Sequence, residues 1–269
     1  MMTPQTIADK KNRGEKITAL TAYDYPTAQL MDEAGIDIVL VGDSLANVVL
    51  GLESTREVGM GEMLHHTGAV ARAVKNALVV GDMPYGAYQP HPQAAVDNAR
   101  QFIQAGCGAV KLEWFDDVLR VTQSIIKDGI AVMGHVGLTP QTAGAMKVQG
   151  KDAASAKAII EQAKKFEQAG CFSIVLECIP MELARAITKA LRIPTIGIGA
   201  GAHCDGQVLV SHDLLGLATR YQPKFSKRYI NLGPLMLKAF QQYKDDVKAG
   251  KFPDDAHSFH MPPGEAKNI

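Results

Sequence analysis

Residues 104–113, QAGCGAVKLE, and residues 168–177, QAGCFSIVLE, are near copies of one another. Each reads as a helix end, a glycine suited to the left-handed turn that closes a helix, and a short apolar strand. Each strand finishes in a carboxylate, Glu113 or Glu177. A recurring helix–turn–strand unit points to alternating α and β elements around a parallel sheet. Side chains alternate along a strand, so Lys111 and Glu113 share one face while Val110 and Leu112 share the other. With helices covering the second face, Lys111 and Glu113 point inward.

The same alternation extends outward in both directions. Strands are predicted at 17–23 (ITALTAY), 37–42 (DIVLVG), 78–83 (LVVGDM), 109–113 (AVKLE), 131–136 (AVMGHV), 172–177 (FSIVLE), 194–199 (PTIGIG) and 213–217 (DLLGL). They are short and continuously apolar, as parallel strands covered by helices are. Helical patterns separate them, among them HPQAAVDNARQFIQAG, where Pro92 suits a helix start. Eight strands with intervening helices predict a (β/α)8 TIM-type barrel. A doubly wound open sheet would fit the length, but no G-x-G-x-x-G follows an early strand. From about residue 223 the alternation stops. SKRYINLGPLMLKAFQQYKDDVKAG reads as an additional C-terminal helix, followed by a Pro-rich polar tail. The expected organisation is one barrel domain over 1–269 with this helical extension.

Composition excludes several classes of function. Apolar residues make up 46% of the 269, enough for a sizeable core, and Lys plus Arg equals Asp plus Glu at 28 each. That balance gives no support for a nucleic-acid or anionic-membrane partner. No apolar run approaches the roughly 20 residues of a membrane helix, and MMTPQTIADKKNRGEK lacks an apolar signal core. A cytoplasmic location is the expectation. Cys107, Cys171, Cys178 and Cys204 form no C-x-x-C pair and read as small, half-buried apolar residues.

In a (β/α)8 barrel the chemistry sits at the C-terminal ends of the strands. Those ends carry Asp43, Asp82, Glu113, His135 and Glu177. A Lys111–Glu113 pair alone would be explained by a structural ion pair. Four acids at corresponding strand ends repel one another, and a divalent cation relieves that repulsion. Oxygen-only ligands favour a hard ion such as Mg2+. His135 as a ligand would shift the preference toward zinc; it reads instead as a hydrogen-bond donor. GIGAGAHCDGQVLV (197–210) could let the backbone approach a phosphate, yet a tight glycine turn without a ligand explains it as well. His65–His66 reads as surface or packing.

The ordered set VGDSLANVVLG, GDMPYGAY, VKLE, GHVGLTPQ, KVQGKD, VLECIP, IPTIGIGAG, CDGQVLV and HSFH resembles the 3-methyl-2-oxobutanoate (ketopantoate) hydroxymethyltransferase family over residues 3–260. The resemblance implies a (β/α)8 barrel and an enzyme of pantothenate biosynthesis. Such an enzyme moves a hydroxymethyl group from 5,10-methylenetetrahydrofolate to 3-methyl-2-oxobutanoate, giving 2-dehydropantoate and tetrahydrofolate. It also implies Mg2+ held by Asp43, Asp82 and Glu113, and substrate contacts at Asp43, Ser44, Asp82 and Lys111. We group His135, as a hydrogen-bond donor, with these substrate residues. Glu177 is the implied proton acceptor. Members of the family form large rings, commonly ten subunits in two stacked pentamers, which makes a homodecamer the expectation. The chain departs from the family's usual G-D-S-L-G-M at Ala46 and Asn47, and TAGAM (142–146) replaces a longer segment, which bears on the loop over the fifth strand. A magnesium-dependent lyase or mutase of the phosphoenolpyruvate/2-oxo acid type is the alternative, since such barrels share the same metal and oxo-acid logic.

Overall fold

A computed structural model describes residues 1–142, 147–217 and 223–268. Eight parallel strands close into a barrel in the order in which they occur in the chain. They are β1 (Ile17–Thr21), β2 (Ile38–Val41), β3 (Leu78–Asp82), β4 (Ala109–Glu113), β5 (Val132–Gly137), β6 (Ser173–Glu177), β7 (Thr195–Ile198) and β8 (Gly206–Leu209). The helices are α1 (Pro4–Asn12), α2 (Tyr25–Glu33), α3 (Leu45–Val48), α4 (Met60–Ala73), α5 (Pro92–Gln104), α6 (Val118–Lys127), α7 (Ala153–Gln168), α8 (Met181–Ala190), α9 (Ser211–Leu215) and α10 (Leu232–Lys248). Most of TAGAM lies outside the described residues, and with it the expected effect of its brevity on the loop over β5.

The eighth strand is not where the sequence predicts it. Residues 213–217 belong to α9 and its cap, and β8 is Gly206–Leu209, paired with β7 and β1. An apolar run of five residues is equally compatible with a strand and with a helical turn. Gly216 settles the matter: it stands in the left-handed region at φ 70°, closing α9.

Side-chain alternation builds two apolar layers. Inside the barrel lie Ile17, Leu40, Val80, Ala109, Met133, Val175, Ile196 and Val208. Outside, Val110, Leu112, Ile174 and Leu176 pack against helix residues such as Phe102, Ile125, Phe166 and Ile187. Burying each large side chain contributes roughly 1.5–3 kcal/mol. The outer layer needs glycine where a ring lies flat on a strand: a Cβ at Gly134 would stand 2.8 Å from Phe166. Met133 and Val175 fill the interior at the level where β4 carries Lys111, so charge enters the barrel only toward the mouth.

The floor is closed by α1, which the sequence reading did not anticipate. Thr3 caps it, Pro4 opens it and Ile7, fully buried, joins the interior layer. Lys10 Nζ meets Asp37 Oδ1 at 2.6 Å and Lys11 Nζ meets Asp205 Oδ2 at 2.9 Å, fixing the helix to the starts of β2 and β8, the two strands that flank β1. In contrast α10 buries no residue: Leu235, Leu237, Phe240 and Tyr243 are all more than half exposed.

Candidate active site

The strand register brings the predicted residues together at the mouth. Asp82 stands opposite Lys111, Glu113 opposite His135, and Gly137 opposite Glu177. Asp43 follows β2 by two residues, and its N–H donates to Asp82 Oδ2 at 3.3 Å. Lys111 Nζ lies 2.5 Å from Asp82 Oδ1, both side chains almost fully buried. Asp43, Ser44, Asp82, Lys111, Glu113, His135 and Glu177 all line one cavity of about 470 Å3.

This mouth is lined by buried side chains and rich in negative charge. Burial, then the charges of Asp82 and Glu113, raise the Asp43 carboxyl well above the carboxylate range, and Lys111 and Gln141 offset only part of the rise. Burial also works against ionisation of Lys111, but Asp82, Glu113 and Asp43 outweigh it and raise its pKa. Burial pushes the Glu113 carboxyl up, whereas His135 and Lys111 bring it below its ordinary value.

His135 stands between the two glutamates of the repeat. Its Nδ1 is 3.5 Å from Glu113 Oε1 and its Nε2 is 3.2 Å from Glu177 Oε2. Neither contact has the geometry of a good hydrogen bond. Burial and Lys111 push the imidazolium down, and the two carboxylates more than compensate, raising its pKa to about 9. The ring therefore carries charge at neutral pH. His135, read from sequence as a hydrogen-bond donor, faces two carboxylates in this structure, and neither ring nitrogen makes a hydrogen bond among the described residues.

Three residues that the sequence reading did not single out hold the cluster. The Gln141 N–H donates to Glu113 Oε2 at 3.0 Å, and its Nε2 donates to Asp43 Oδ2 and to the Met83 carbonyl, each at 3.0 Å. The Tyr88 hydroxyl donates to Gln141 Oε1 at 2.7 Å and accepts from the Glu113 N–H at 3.2 Å. Tyr23 Oη lies 2.8 Å from Ser44 Oγ, which fixes the serine at the start of α3. The signals were present in GHVGLTPQ, GDMPYGAY and ITALTAY, but none of the three residues lies on an inward strand position beside the acids.

Among the described residues no three His, Cys, Asp or Glu side chains are grouped closely enough to hold a metal ion. Lys111 and Gln141 instead engage oxygens of Asp82 and Asp43. The donor chemistry nevertheless suits a hard divalent cation: Asp43, Asp82 and Glu113 offer only oxygens, and their mutual repulsion is incompletely neutralised.

The glycines of the 197–210 segment serve internal packing. A Cβ at Gly199 would stand 2.8 Å from the Phe225 ring, and one at Gly201 would stand 2.5 Å from Met181. His66 Nδ1 contacts the Tyr23 carbonyl at 2.6 Å, a packing role. All four cysteines are free; Cys107, Cys171 and Cys204 are buried and Cys178 is half-buried.

The family model described as ketopantoate hydroxymethyltransferase matches residues 1–255. A protein of Syntrophomonas wolfei subsp. wolfei named 3-methyl-2-oxobutanoate hydroxymethyltransferase is 52% identical over 262 residues, 96% of this chain and 95% of its own. A protein of the same name from Clostridium kluyveri is 55% identical over 260 residues, 95% of this chain and 93% of its own. Among solved structures, phosphonopyruvate hydrolase in complex with oxalate and Mg++ superposes with a TM-score of 0.62 at 13% identity, covering 98% of this chain and 93% of that one. For 2,3-dimethylmalate lyase, of the PEP mutase/isocitrate lyase superfamily, the TM-score is 0.59 at 14% identity, covering 100% and 94%. At such identities these structures establish the fold alone.

Proposed function

The chain belongs to the ketopantoate hydroxymethyltransferase family and is a hydroxymethyltransferase, and on that premise we propose that its barrel mouth joins the methylene carbon of 5,10-methylenetetrahydrofolate to C3 of 3-methyl-2-oxobutanoate. The observation that carries the reading is the pairing of a buried Asp43–Asp82–Glu113 cluster with a separate carboxylate, Glu177, in one cavity.

Asp43, Asp82 and Glu113 would hold Mg2+. When bound, the ion supplies Lewis-acid polarisation of a 2-oxo acid. Lys111 adds fixed positive charge beside the substrate carboxylate. Ser44, held by Tyr23, offers a hydroxyl to the same end of the substrate. Glu177 takes the proton from C3, and the carbon nucleophile so formed bonds to the methylene carbon of the folate; the bonds from that carbon to N5 and N10 break, a water molecule supplies the hydroxyl oxygen, and the C3 proton and one water proton pass to the two nitrogens of the departing tetrahydrofolate. His135, charged and 3.2 Å from Glu177, keeps that carboxylate oriented. Gln141 and Tyr88 hold Asp43 and Glu113 in place.

Further parts of the reading concern the whole molecule. We treat residues 1–269 as one barrel domain with a helical extension from about 223, and assign it to the cytoplasm. Among the described residues no helix is long and apolar enough to cross a membrane. A homodecamer gives the exposed apolar side chains of α10 somewhere to go. Light scattering at low protein concentration tests this: a stable, fully active monomer excludes it.

The lyase or mutase alternative draws on fold likeness at 11–15% identity, whereas relatives at 52–55% carry the transferase name. Assaying 2-dehydropantoate formation with and without Mg2+ and methylenetetrahydrofolate separates the two. Product formation that depends on both is expected. Turnover of a 2-oxo acid without any folate-derived carbon would overturn the reading.

A further inference from the structure

The cavity is larger than its smaller substrate requires. A five-carbon oxo acid fills a minor part of about 470 Å3, a volume in the range of roughly 300–1,000 Å3 that accommodates drug-sized ligands. The acid cluster sits at the ends of β2 to β6. Beyond it the cavity continues past β7 and β8, where its wall is Ile198, Val208, Val210, Leu217 and Phe225. Among the described residues, one charged side chain interrupts this apolar wall, Asp213 of α9.

Asp213 is 93% buried, being 7% exposed, and its carboxylate makes no hydrogen bond among the described residues. Burial raises its carboxyl above the ordinary value, and nearby Arg228 opposes the rise. A carboxylate placed in an apolar wall is costly unless donors meet it. Asp213 also borders the substrate end of the cavity: it and Asp43 both oppose ionisation of Tyr23, whose hydroxyl meets Ser44. Its neighbour His212 packs against Tyr23 at a tilt, with ring centroids 5.5 Å apart and the planes at 54°. On the opposite side of the wing, Ile198 is the register partner of Glu177. A ligand in the wing would therefore lie between Asp213 and the proton acceptor.

We propose that this wing is the pterin subsite, with the Asp213 carboxylate accepting both the N3–H and the 2-amino hydrogens of the reduced pterin and the Phe225 ring lying along the bicycle. The inference rests on the transferase reading above. Two parallel donors on the pterin edge match the two oxygens of one carboxylate, the arrangement in which charge-assisted hydrogen bonds are strongest. The apolar wall suits the rest of the bicycle, and Phe225 can reach the wing because Gly199 leaves room beneath its ring. With the pterin anchored there, the donor's methylene group is directed toward the β6 end, where Glu177 opens C3.

The test compares wild type with Asp213→Asn and Asp213→Glu in the magnesium-loaded enzyme. Three quantities are measured: deuterium exchange at C3 of 3-methyl-2-oxobutanoate without folate, the KM for methylenetetrahydrofolate, and binding of p-aminobenzoylglutamate, which lacks the pterin. Asparagine keeps the shape but turns a donor toward the pterin's donors. The ratio of transfer to exchange at low folate should fall about 10- to 100-fold through KM, with glutamate recovering part of it and p-aminobenzoylglutamate affinity unmoved. An unchanged folate KM, or exchange and transfer falling together, would overturn the subsite. Wild type that exchanges C3 but transfers no folate carbon would instead overturn the transferase reading, and the subsite with it.

Discussion

Strands β4 and β6 end near-identical helix–glycine–strand stretches, yet their terminal glutamates stand in different surroundings. The Glu113 side chain is 2% exposed and sits among Lys111, Gln141 and His135; that of Glu177 is 16% exposed and, among the described residues, pairs with His135 alone. The difference begins two residues earlier. Position 111 is lysine on β4, and the corresponding position on β6 is Val175, which closes the apolar interior. A cation at that level draws Asp82 and its neighbours into a buried cluster, while valine leaves its glutamate beside open cavity. The barrel repeat thus fixes where a carboxylate stands, and one inward neighbour fixes what it can do there. His135, on the strand between, touches both.

The largest effect should come from removing the base. Glu177→Gln is nearly isosteric, so the fold and substrate binding persist while C3 proton exchange falls by about 10^2–10^4-fold. Glu113→Gln should instead act on magnesium affinity. Deuterium wash-in followed by NMR, alongside metal titration, separates the two. Normal exchange in Glu177→Gln would erase the division between the glutamates.

Making β4 resemble β6 is the next perturbation. Lys111→Val leaves Asp82 buried opposite a hydrocarbon, with Asp43 and Glu113 close by. Breaking one partner out of a buried pair costs about 3–5 kcal/mol. Urea unfolding of the metal-free protein should show a loss of that order. An unchanged midpoint would mean that the lysine does not offset the acid cluster.

The shared histidine predicts a pH dependence. Its pKa is raised from the ordinary value to about 9 in the folded protein. The stabilisation it contributes is therefore complete below about pH 6.5 and is lost as pH rises through about 9. The loss amounts to about 3 kcal/mol at most. His135→Gln cannot titrate and should lack this slope. Parallel stability profiles for the two proteins between pH 7 and 9.5, with chelator present, would show that the imidazolium is not shared between the glutamates.

The legibility of this molecule follows the same division. Strand parity is local, so Lys111, Glu113 and Glu177 could be placed inward from sequence, and Asp43 and Asp82 could be placed at neighbouring strand ends. Seven strands were read in place. The eighth was misplaced because GQVLV was absorbed into a glycine-rich turn while DLLGL, a short helix, has the same apolarity as a strand. The N-terminal helix carried its own signal, Thr3 before Pro4, but its purpose depends on the barrel floor it covers. Gln141, Tyr88 and Asp213 were illegible for a different reason. Each comes from a loop or a short helix, and its partners or cavity neighbours are distant in sequence: Gln141 and Asp43 are 98 residues apart.

The smallest effect tests whether the two repeats differ away from the mouth. Cys107 and Cys171 occupy equivalent places at the start of each unit, both buried. Burial raises both thiols; at Cys107 the neighbouring Thr67 hydroxyl works against the rise, and no such neighbour acts at Cys171. Thr67 Oγ1 is itself buried with no conventional hydrogen-bond partner. A serine at 107 can therefore pair with it, whereas a serine at 171 would bury a hydroxyl alone. Leaving such a group unsatisfied costs about 1–3 kcal/mol. Cys171→Ser should accordingly lower the urea midpoint more than Cys107→Ser, while Cys→Ala at the two sites should cost about the same. Equal losses for the two serines would mean that the Thr67 contact contributes nothing, and that the repeats diverge only where their strands reach the mouth.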